Sequence, residues 1–273
     1  MEESTGRNTS AQLAHAVARV LEEGGLAALA TVVEGTRAVG AKVLLEGSGA
    51  RAGTTGDEAL DEALAVHARA FLASRAEALT LRVGEFAPAL ADWHEARVLF
   101  ERVEPEPRVI VCGAGHVGAA LARLAHAVGY RVTLLDDRAD FVARERFPES
   151  GIELVAARNW TDPLKEIIGN GRGVHVAVVT RGHKEDEECM RAVLAARPDY
   201  VGMIGSKRRT NIVLARLRES GFDEELLDEV RAPIGLDLGA VSPQEVALSI
   251  LAEIVAHRRD GTGRPLSEWR RQQ

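Results

Sequence analysis

Residues 108–118 have the sequence Arg-Val-Ile-Val-Cys-Gly-Ala-Gly-His-Val-Gly. The apolar run at residues 109–111 is typical of a buried strand, and three glycines follow it at the spacing Gly-x-Gly-x-x-Gly. In that pattern Gly113 permits a tight turn, Gly115 lets a pyrophosphate approach the backbone, and Gly118 lets a helix pack close to the strand. The stretch therefore predicts the first strand, loop and helix of a Rossmann-type dinucleotide-binding domain.

The segments that follow this loop alternate between β-rich runs and amphipathic helices. Strands are predicted at residues 108–112, 131–135, 153–156, 175–179 and 200–204. Such alternation is typical of a parallel, doubly wound sheet. We therefore expect the fold class α/β, with a Rossmann-type parallel sheet domain.

The segments that precede the loop show a different pattern. Helices are indicated around residues 13–21 and 60–72, and strands at residues 26–33, 41–45, 79–83 and 97–103. The sequence Glu-Pro-Glu-Pro at residues 104–107 then interrupts both patterns, because its prolines disfavour helix and sheet alike. We predict a smaller α+β domain at residues 1–104 and the Rossmann-type domain at residues 105–273.

Composition narrows the class of protein. The 273 residues are 46% hydrophobic and carry a formal net charge of −7, which favours a folded protein and disfavours nucleic acid as a partner. Cys112 and Cys189 form neither a Cys-x-x-Cys motif nor a Cys/His pair, so neither a zinc site nor a disulfide framework is indicated. With no long apolar span and no signal pattern at the start, we expect a cytoplasmic protein that binds no membrane.

Two acidic residues end the second strand of the predicted sheet. Asp136 and Asp137 lie about 20 residues after the glycine loop (residues 113–118), where an acidic side chain accepts hydrogen bonds from ribose hydroxyls in this fold. That placement favours a ribose without a 2′-phosphate. The alternative is that the two aspartates form a solvated turn.

The segment Thr180-Arg181-Gly182-His183 follows another predicted strand. It is therefore expected at the carboxyl edge of the sheet, where doubly wound folds bind ligands. His183 is the best candidate for a general acid or a ligand-binding residue. It could equally serve only to begin its helix.

A basic segment, Gly205-Ser206-Lys207-Arg208-Arg209, follows the next predicted strand. Ser206 is predicted to cap a helix. Cations at a helix start oppose the helix dipole, so their clustering favours an anion between them, such as a phosphate or pterin-phosphate ligand. A solvated arginine-rich face is the alternative.

The loop at residues 233–240 is apolar and contains two glycines and one acid. Ser242, Pro243 and Glu245 behind it match a capping box with proline at the first helical position. The capping box explains the helix start, but the apolar, glycine-spaced loop before it is harder to explain by packing alone. We therefore expect Gly235 and Asp237 to contribute to the wall of a ligand site.

These ordered motifs resemble the xanthine dehydrogenase accessory factors of the XdhC/CoxI type. The matching stretches are residues 111–118, 179–183, 202–208, 232–240 and 249–254. The resemblance implies a maturation chaperone rather than a metabolic dehydrogenase, and we assign no catalytic residue and no metal ligand in the chain. The cofactor-binding residues carried over from the motifs and from the reasoning above are Gly113, Gly115, His116, Gly118, Asp136, Arg181, His183, Gly205, Ser206, Lys207, Arg208, Gly235 and Asp237.

The resemblance also implies a cofactor and partners. Such proteins bind molybdenum cofactor, as molybdopterin or its dinucleotide form, and assist its sulfuration with a cysteine desulfurase. They pass it to an apo molybdenum hydroxylase of the xanthine or carbon monoxide dehydrogenase type, and they often form homodimers.

Two other functions stay open at this point, an NAD(P)-dependent oxidoreductase and a nucleotide-sensing regulatory module, because a fold alone does not decide function. An oxidoreductase acting on an alcohol would need a tyrosine with a lysine at helical spacing, and neither Tyr130 nor Tyr200 has that lysine.

The N-terminal part departs from the family pattern. The family has a Gly-Gly-Cys-Val/Leu-Glu element where this chain has Gly-Thr-Thr-Gly-Asp-Glu at residues 53–58. The cysteine is missing. If that thiol holds or sulfurates the cofactor in the family, this chain must do so differently or has a divergent task.

Overall fold

The computed structural model describes residues 2–74 and 76–267, including their side chains apart from those of residues 2–10 and 183. The chain divides after Pro105 into two compact units. Among the described residues, no helix is long and apolar enough to cross a membrane.

The N-terminal unit contains an antiparallel sheet. Its strands are β1 (Ala27–Glu34), β2 (Lys42–Glu46), β3 (Arg51–Gly53), β4 (Ala78–Arg82) and β5 (Arg97–Val103). They are ordered β3-β2-β1-β5-β4. The helices of this unit are α1 (Glu2–Glu22), α2 (Glu58–Ala73) and the short α3 (Val83–Phe86). The predicted α+β architecture is confirmed.

Both faces of β1 are buried, because successive side chains of a strand point to opposite sides of its sheet. Ala28, Ala30 and Val32 belong to the apolar cluster that includes the buried face of α2. Ala27 packs with Val20 of α1 in a second cluster. The sheet therefore has a helix on each side at this strand.

The C-terminal unit contains a parallel sheet. Its strands are β6 (Arg108–Cys112), β7 (Arg131–Asp136), β8 (Ile152–Ala156), β9 (Val174–Val178) and β10 (Tyr200–Met203). They are ordered β10-β9-β6-β7-β8, and every neighbouring pair is parallel. The helices are α4 (His116–Ala127), α5 (Thr161–Ile168), α6 (His183–Ala196), α7 (Lys207–Glu219), α8 (Glu224–Asp228) and α9 (Pro243–Arg258). The predicted Rossmann-type fold is confirmed.

The strand order places a crevice at the carboxyl end of β6. The chain runs outward from β6 to β7 and β8, then crosses back to β9 on the other side of β6 and continues to β10. Ligands of open α/β sheets bind where the order reverses in this way. The glycine loop leaves β6 at that point, so the fold positions it at the expected ligand crevice.

Candidate functional site

The three glycines of the loop have different roles. Gly113 has φ +114°, and a Cβ there would lie 2.6 Å from the carbonyl oxygen of Val179. A Cβ at Gly118 would lie 1.8 Å from the carbonyl oxygen of Gly113. At Gly115 a Cβ would meet no atom within 4 Å. Gly113 and Gly118 are thus required by packing, whereas Gly115 faces open space.

Backbone donors are exposed on the loop. The Ala114 N–H donates to Asp136 Oδ2 at 2.7 Å. Within the described part of the chain, no acceptor is found for the N–H groups of Gly115, His116 and Val117. Because these groups lie at the start of α4, the positive end of the helix dipole adds to their attraction for an anion. The loop can therefore bind a phosphate.

A cleft of about 370 Å³ opens beside the loop. This size lies within the usual range for small-molecule and cofactor sites. Its lining residues come from the end of β7, from the segments that follow β6, β7, β8, β9 and β10 and from the start of α9. They are Gly113, Gly115, His116, Val117, Asp136, Asp137, Arg138, Trp160, Val179, Thr180, Arg181, Glu185, Ile204, Gly205, Arg209 and Pro243.

The carboxylate of Asp136 is committed to holding the loop in place. Besides Ala114, it accepts hydrogen bonds from the Arg138 backbone N–H at 2.9 Å, from Nε at 2.8 Å and from Nη2 at 2.9 Å. Burial acts to raise the pKa of Asp136, but the hydrogen bonds from Arg138 and Ala114 outweigh it and lower that pKa. Asp136 is 1% exposed, so its oxygens are already saturated by the protein.

The second aspartate faces the cleft and is paired across it. Both oxygens of Asp137 accept from Arg181, at 2.7 Å from Nη1 and 2.8 Å from Nη2. Arg181 also contacts Glu185 at 3.3 Å. The hydrogen bonds that Arg181 donates to Asp137, and the negative charge of Asp137, raise the pKa of Arg181. The pair joins the carboxyl ends of β7 and β9.

A third ion pair lies deeper in the cleft wall. Asp186 is fully buried, accepts from the Thr180 hydroxyl, and accepts from Arg209 Nε at 2.6 Å. Arg209 Nη2 also donates to the Thr180 carbonyl at 3.2 Å. Through these contacts α6, α7 and the end of β9 are held together beside the cleft.

The guanidinium groups that line the cleft are therefore balanced by carboxylates. Arg138 pairs with Asp136, Arg181 with Asp137, and Arg209 with Asp186. An arriving phosphate therefore meets the backbone donors first, because each of these guanidinium groups already binds a carboxylate.

The structure brings some of the residues predicted from the sequence together and separates others. Gly113, Gly115, His116, Asp136, Arg181 and Gly205 line the cleft. Gly118 packs beneath the loop. Five other predicted residues do not line the cleft: Ser206, Lys207, Arg208, Gly235 and Asp237. The side chain of His183 lies outside the described residues, and its backbone is the first residue of α6.

The basic segment is divided by the start of α7. Ser206 caps the helix as predicted, accepting from the Arg209 N–H at 3.3 Å. Lys207 and Arg208 are exposed on the first turn, whereas Arg209 turns inward to Asp186. The three cations therefore do not surround a common anion position.

The apolar loop at residues 233–240 packs against α9. The Gly235 N–H donates to Glu253 at 2.7 Å, and a Cβ at Gly235 would lie 2.5 Å from the Ser249 hydroxyl. Asp237 is exposed. The predicted capping box of Ser242 and Glu245 is confirmed. Pro243, the first residue of α9, lines the cleft.

Several cleft residues have no motif that would have revealed them. Trp160 is buried just ahead of α5 and supplies an apolar wall. Arg138 stacks over Phe141 at 3.5 Å while it binds Asp136. Glu185 lies four residues after Arg181, and this spacing could have suggested the ion pair between the two side chains.

The two cysteines belong to one buried apolar cluster. Burial raises the pKa of the Cys189 thiol, and its contact with Cys112 adds to the effect. Cys112 is itself fully buried beneath the glycine loop. No group of His, Cys, Asp or Glu suited to a metal ion is found among the residues described.

A hydroxyl–carboxylate network holds the turn at residues 53–58, where the family resemblance led us to expect a cysteine element. Asp61 is fully buried and accepts from the Thr54 hydroxyl at 2.6 Å, the Thr55 hydroxyl at 2.6 Å and the Thr55 N–H at 2.8 Å. Asp57 caps α2 and accepts from the Trp93 indole at 2.8 Å. These contacts give the turn a structural role.

Three bacterial relatives match the chain in sequence. YqeB of Escherichia coli (strain K12) is 31% identical over 58% of this chain and 28% of its own length. A probable xanthine dehydrogenase subunit of Bacillus subtilis (strain 168) is 27% identical over 59% of this chain and 46% of its own. The molybdenum cofactor insertion chaperone PaoD of E. coli is 25% identical over 58% of this chain and 50% of its own. The chain thus matches at most half the length of these relatives.

A crystal structure described as a xanthine dehydrogenase from Bacillus halodurans has a similar fold. It is 17% identical, with a TM-score of 0.50 over 93% of this chain and 96% of that one. Two family models match in sequence: the XdhC Rossmann domain at residues 109–254, and the XdhC and CoxI family at residues 20–84. Since the first match alone covers more than half of the chain, the chain belongs to the XdhC and CoxI family.

Proposed function

We propose that this chain is an accessory protein that binds molybdenum cofactor in the cleft and assists its insertion into a molybdenum hydroxylase. The observation that carries the proposal is the glycine loop of an XdhC-type Rossmann domain with unsatisfied N–H groups beside a cleft. The proposal extends to a xanthine or carbon monoxide dehydrogenase-type hydroxylase as the recipient, and to a homodimer in the cytoplasm.

The residues beside the loop fit a pterin that carries a phosphate. The N–H groups of Gly115, His116 and Val117 would hold the phosphate, and the open space at Gly115 lets it come close. Val117 and Ile204 line the cleft, are partly exposed and would provide an apolar surface for the ring system. When bound, the cofactor supplies the redox chemistry of the recipient enzyme, and the cleft serves to hold and orient it.

The chain's other reactive groups are badly placed for a reaction in the cleft. Tyr130 and Tyr200 are buried and do not line it, and Tyr200 donates to Glu253 at 2.7 Å. Burial and the contact with Glu253 raise the pKa of Tyr200. Neither cysteine is exposed to accept sulfur. We therefore propose that sulfur passes from a cysteine desulfurase to the bound cofactor without a thiol of this chain.

A reconstitution assay tests this function. A cofactor-free molybdenum hydroxylase is mixed anaerobically with molybdenum cofactor, a cysteine desulfurase and cysteine, with and without the purified chain. We expect the chain to increase both the rate and the final extent of activation, because bound cofactor is shielded from solvent until transfer. The chain alone should show no turnover.

Two controls make the result specific. Serum albumin at the same concentration replaces the chain, and a second series omits the desulfurase to separate insertion from sulfuration. If the chain fails to stimulate activation and instead consumes NADH steadily with a small carbonyl substrate, the proposal is wrong and the protein is an oxidoreductase. Tight nucleotide binding without either activity would favour a regulatory module.

A further inference from the structure

The Asp137–Arg181 ion pair lies inside the cleft and is only partly covered. The Asp137 side chain is 27% exposed and that of Arg181 is 46% exposed. Arg181 keeps a second carboxylate partner, Glu185. Because the pair is solvated and one partner has an alternative, opening it costs little free energy. Asp137 and Arg181 are therefore each available to a ligand group that can take the place of the present partner.

Asp137 is the aspartate at the end of β7 that a ligand can reach. The preceding Asp136 is saturated by Ala114 and Arg138 and is almost fully buried. The position that binds ribose in many Rossmann domains is thus used internally here. A ligand that needs a carboxylate beside β7 must take it from Asp137.

The Arg181 guanidinium that now binds Asp137 indicates which ligand groups could take its place. Nη1 and Nη2 of Arg181 present two parallel N–H donors to the two carboxylate oxygens. The 2-amino-4-oxopyrimidine edge of a pterin or guanine presents the same arrangement, a ring N–H beside an amino group. Adenine offers a donor beside an acceptor, and hypoxanthine lacks the amino group. Only the first class of ring can form both hydrogen bonds.

Displacement of Arg181 from Asp137 also releases a cation at the cleft. While the pairs are closed, each guanidinium group of the cleft is balanced by a carboxylate. Once Arg181 leaves Asp137, its positive charge can interact with a bound phosphate. A guanidinium binds phosphate with two parallel hydrogen bonds. A ligand with both a donor pair and a phosphate would satisfy both members of the opened pair.

We propose that the Asp137–Arg181 pair opens to a phosphorylated ligand with a 2-amino-4-oxopyrimidine edge, with Asp137 binding that edge and Arg181 the phosphate. The inference rests on the proposed function and deepens it, because it assigns the residue that recognises the ring. It also predicts that this cleft discriminates against adenine dinucleotides.

Binding of GDP, IDP and ADP by isothermal titration calorimetry tests the inference. The intact chain should bind GDP about tenfold more tightly than IDP or ADP, as expected for one additional hydrogen bond to a charged acceptor. Asp137→Asn should remove this preference, because the amide replaces one of the two acceptor oxygens with an NH2 donor, which cannot accept the second of two parallel N–H groups. ADP affinity should not fall in that variant, since Arg181 is released.

Asp140→Asn is the matched control. Asp140 is an exposed acid three residues further along the chain, and its replacement should leave the GDP preference unchanged. Equal binding of the three nucleotides by the intact chain, no binding of any of them, or a GDP preference that survives in Asp137→Asn would each overturn the inference. Stimulation of hydroxylase activation despite such a result would leave the proposed function standing, so the two failures are distinguishable.

Discussion

Gly118→Ala should lower the free energy of unfolding of the C-terminal unit by about 3 kcal/mol. The added Cβ would lie 1.8 Å from the Gly113 carbonyl oxygen and 3.2 Å from Cγ2 of Val179. Relief of that contact requires α4 to move away from β6, which disturbs the packing on which the unit depends. Urea denaturation followed by far-ultraviolet circular dichroism would measure the change as a lower midpoint.

Gly115→Ala is the control for this variant. It adds the same methyl group to the same loop, but no atom lies within 4 Å of the new Cβ. The residue caps α4 with extended backbone angles that alanine can adopt, so the cost should stay below about 1 kcal/mol. If both alanine variants were equally stable, the close approach of α4 to the loop would be refuted.

Asp186→Ala should destabilise the C-terminal unit by a similar amount, about 3 kcal/mol, because it leaves a partly buried guanidinium without its carboxylate. Asp186 is fully buried, and the Arg209 side chain is 22% exposed. The Thr180 hydroxyl also loses its acceptor. Differential scanning calorimetry should show a markedly lower Tm.

Two further variants show whether the buried charge is the cause. Glu187→Ala removes an acid from the same helix, but its ion pairs with Arg191 and Arg216 are partly exposed, so it should cost less than about 1 kcal/mol. Asp186→Ala combined with Arg209→Met should recover part of the lost stability. A double variant less stable than Asp186→Ala alone would contradict this explanation.

Local sequence patterns predicted the parts of the fold that depend on neighbouring residues. The strand, loop and helix around Gly113 and Gly118 follow from a run of apolar residues and three glycines, and the caps at Ser206 and Ser242 follow from short motifs. The strand β3 is three residues long, too short for a periodic pattern, and it was not predicted.

The contacts within the cleft depend on tertiary structure and could not be predicted in this way. Arg181 meets Asp137 only because β9 and β7 flank β6 in the sheet. For the same reason, no local motif singled out Asp186, which the fold buries against Arg209. The side chains of one basic segment were expected to act together, but the first turn of α7 points them in different directions.

Whether the cleft beside the glycine loop holds molybdenum cofactor is measured by the pterin content of the chain after loading. The chain is incubated anaerobically with cofactor released from a purified hydroxylase, separated by gel filtration, and assayed for pterin by fluorescence after oxidation. We predict close to one pterin per wild-type chain and at least a tenfold lower content in Gly115→Val at an unchanged Tm, since the larger side chain fills the space where the phosphate approaches. A wild-type chain that retains no pterin, or a Gly115→Val variant that retains as much as the wild type, would contradict it.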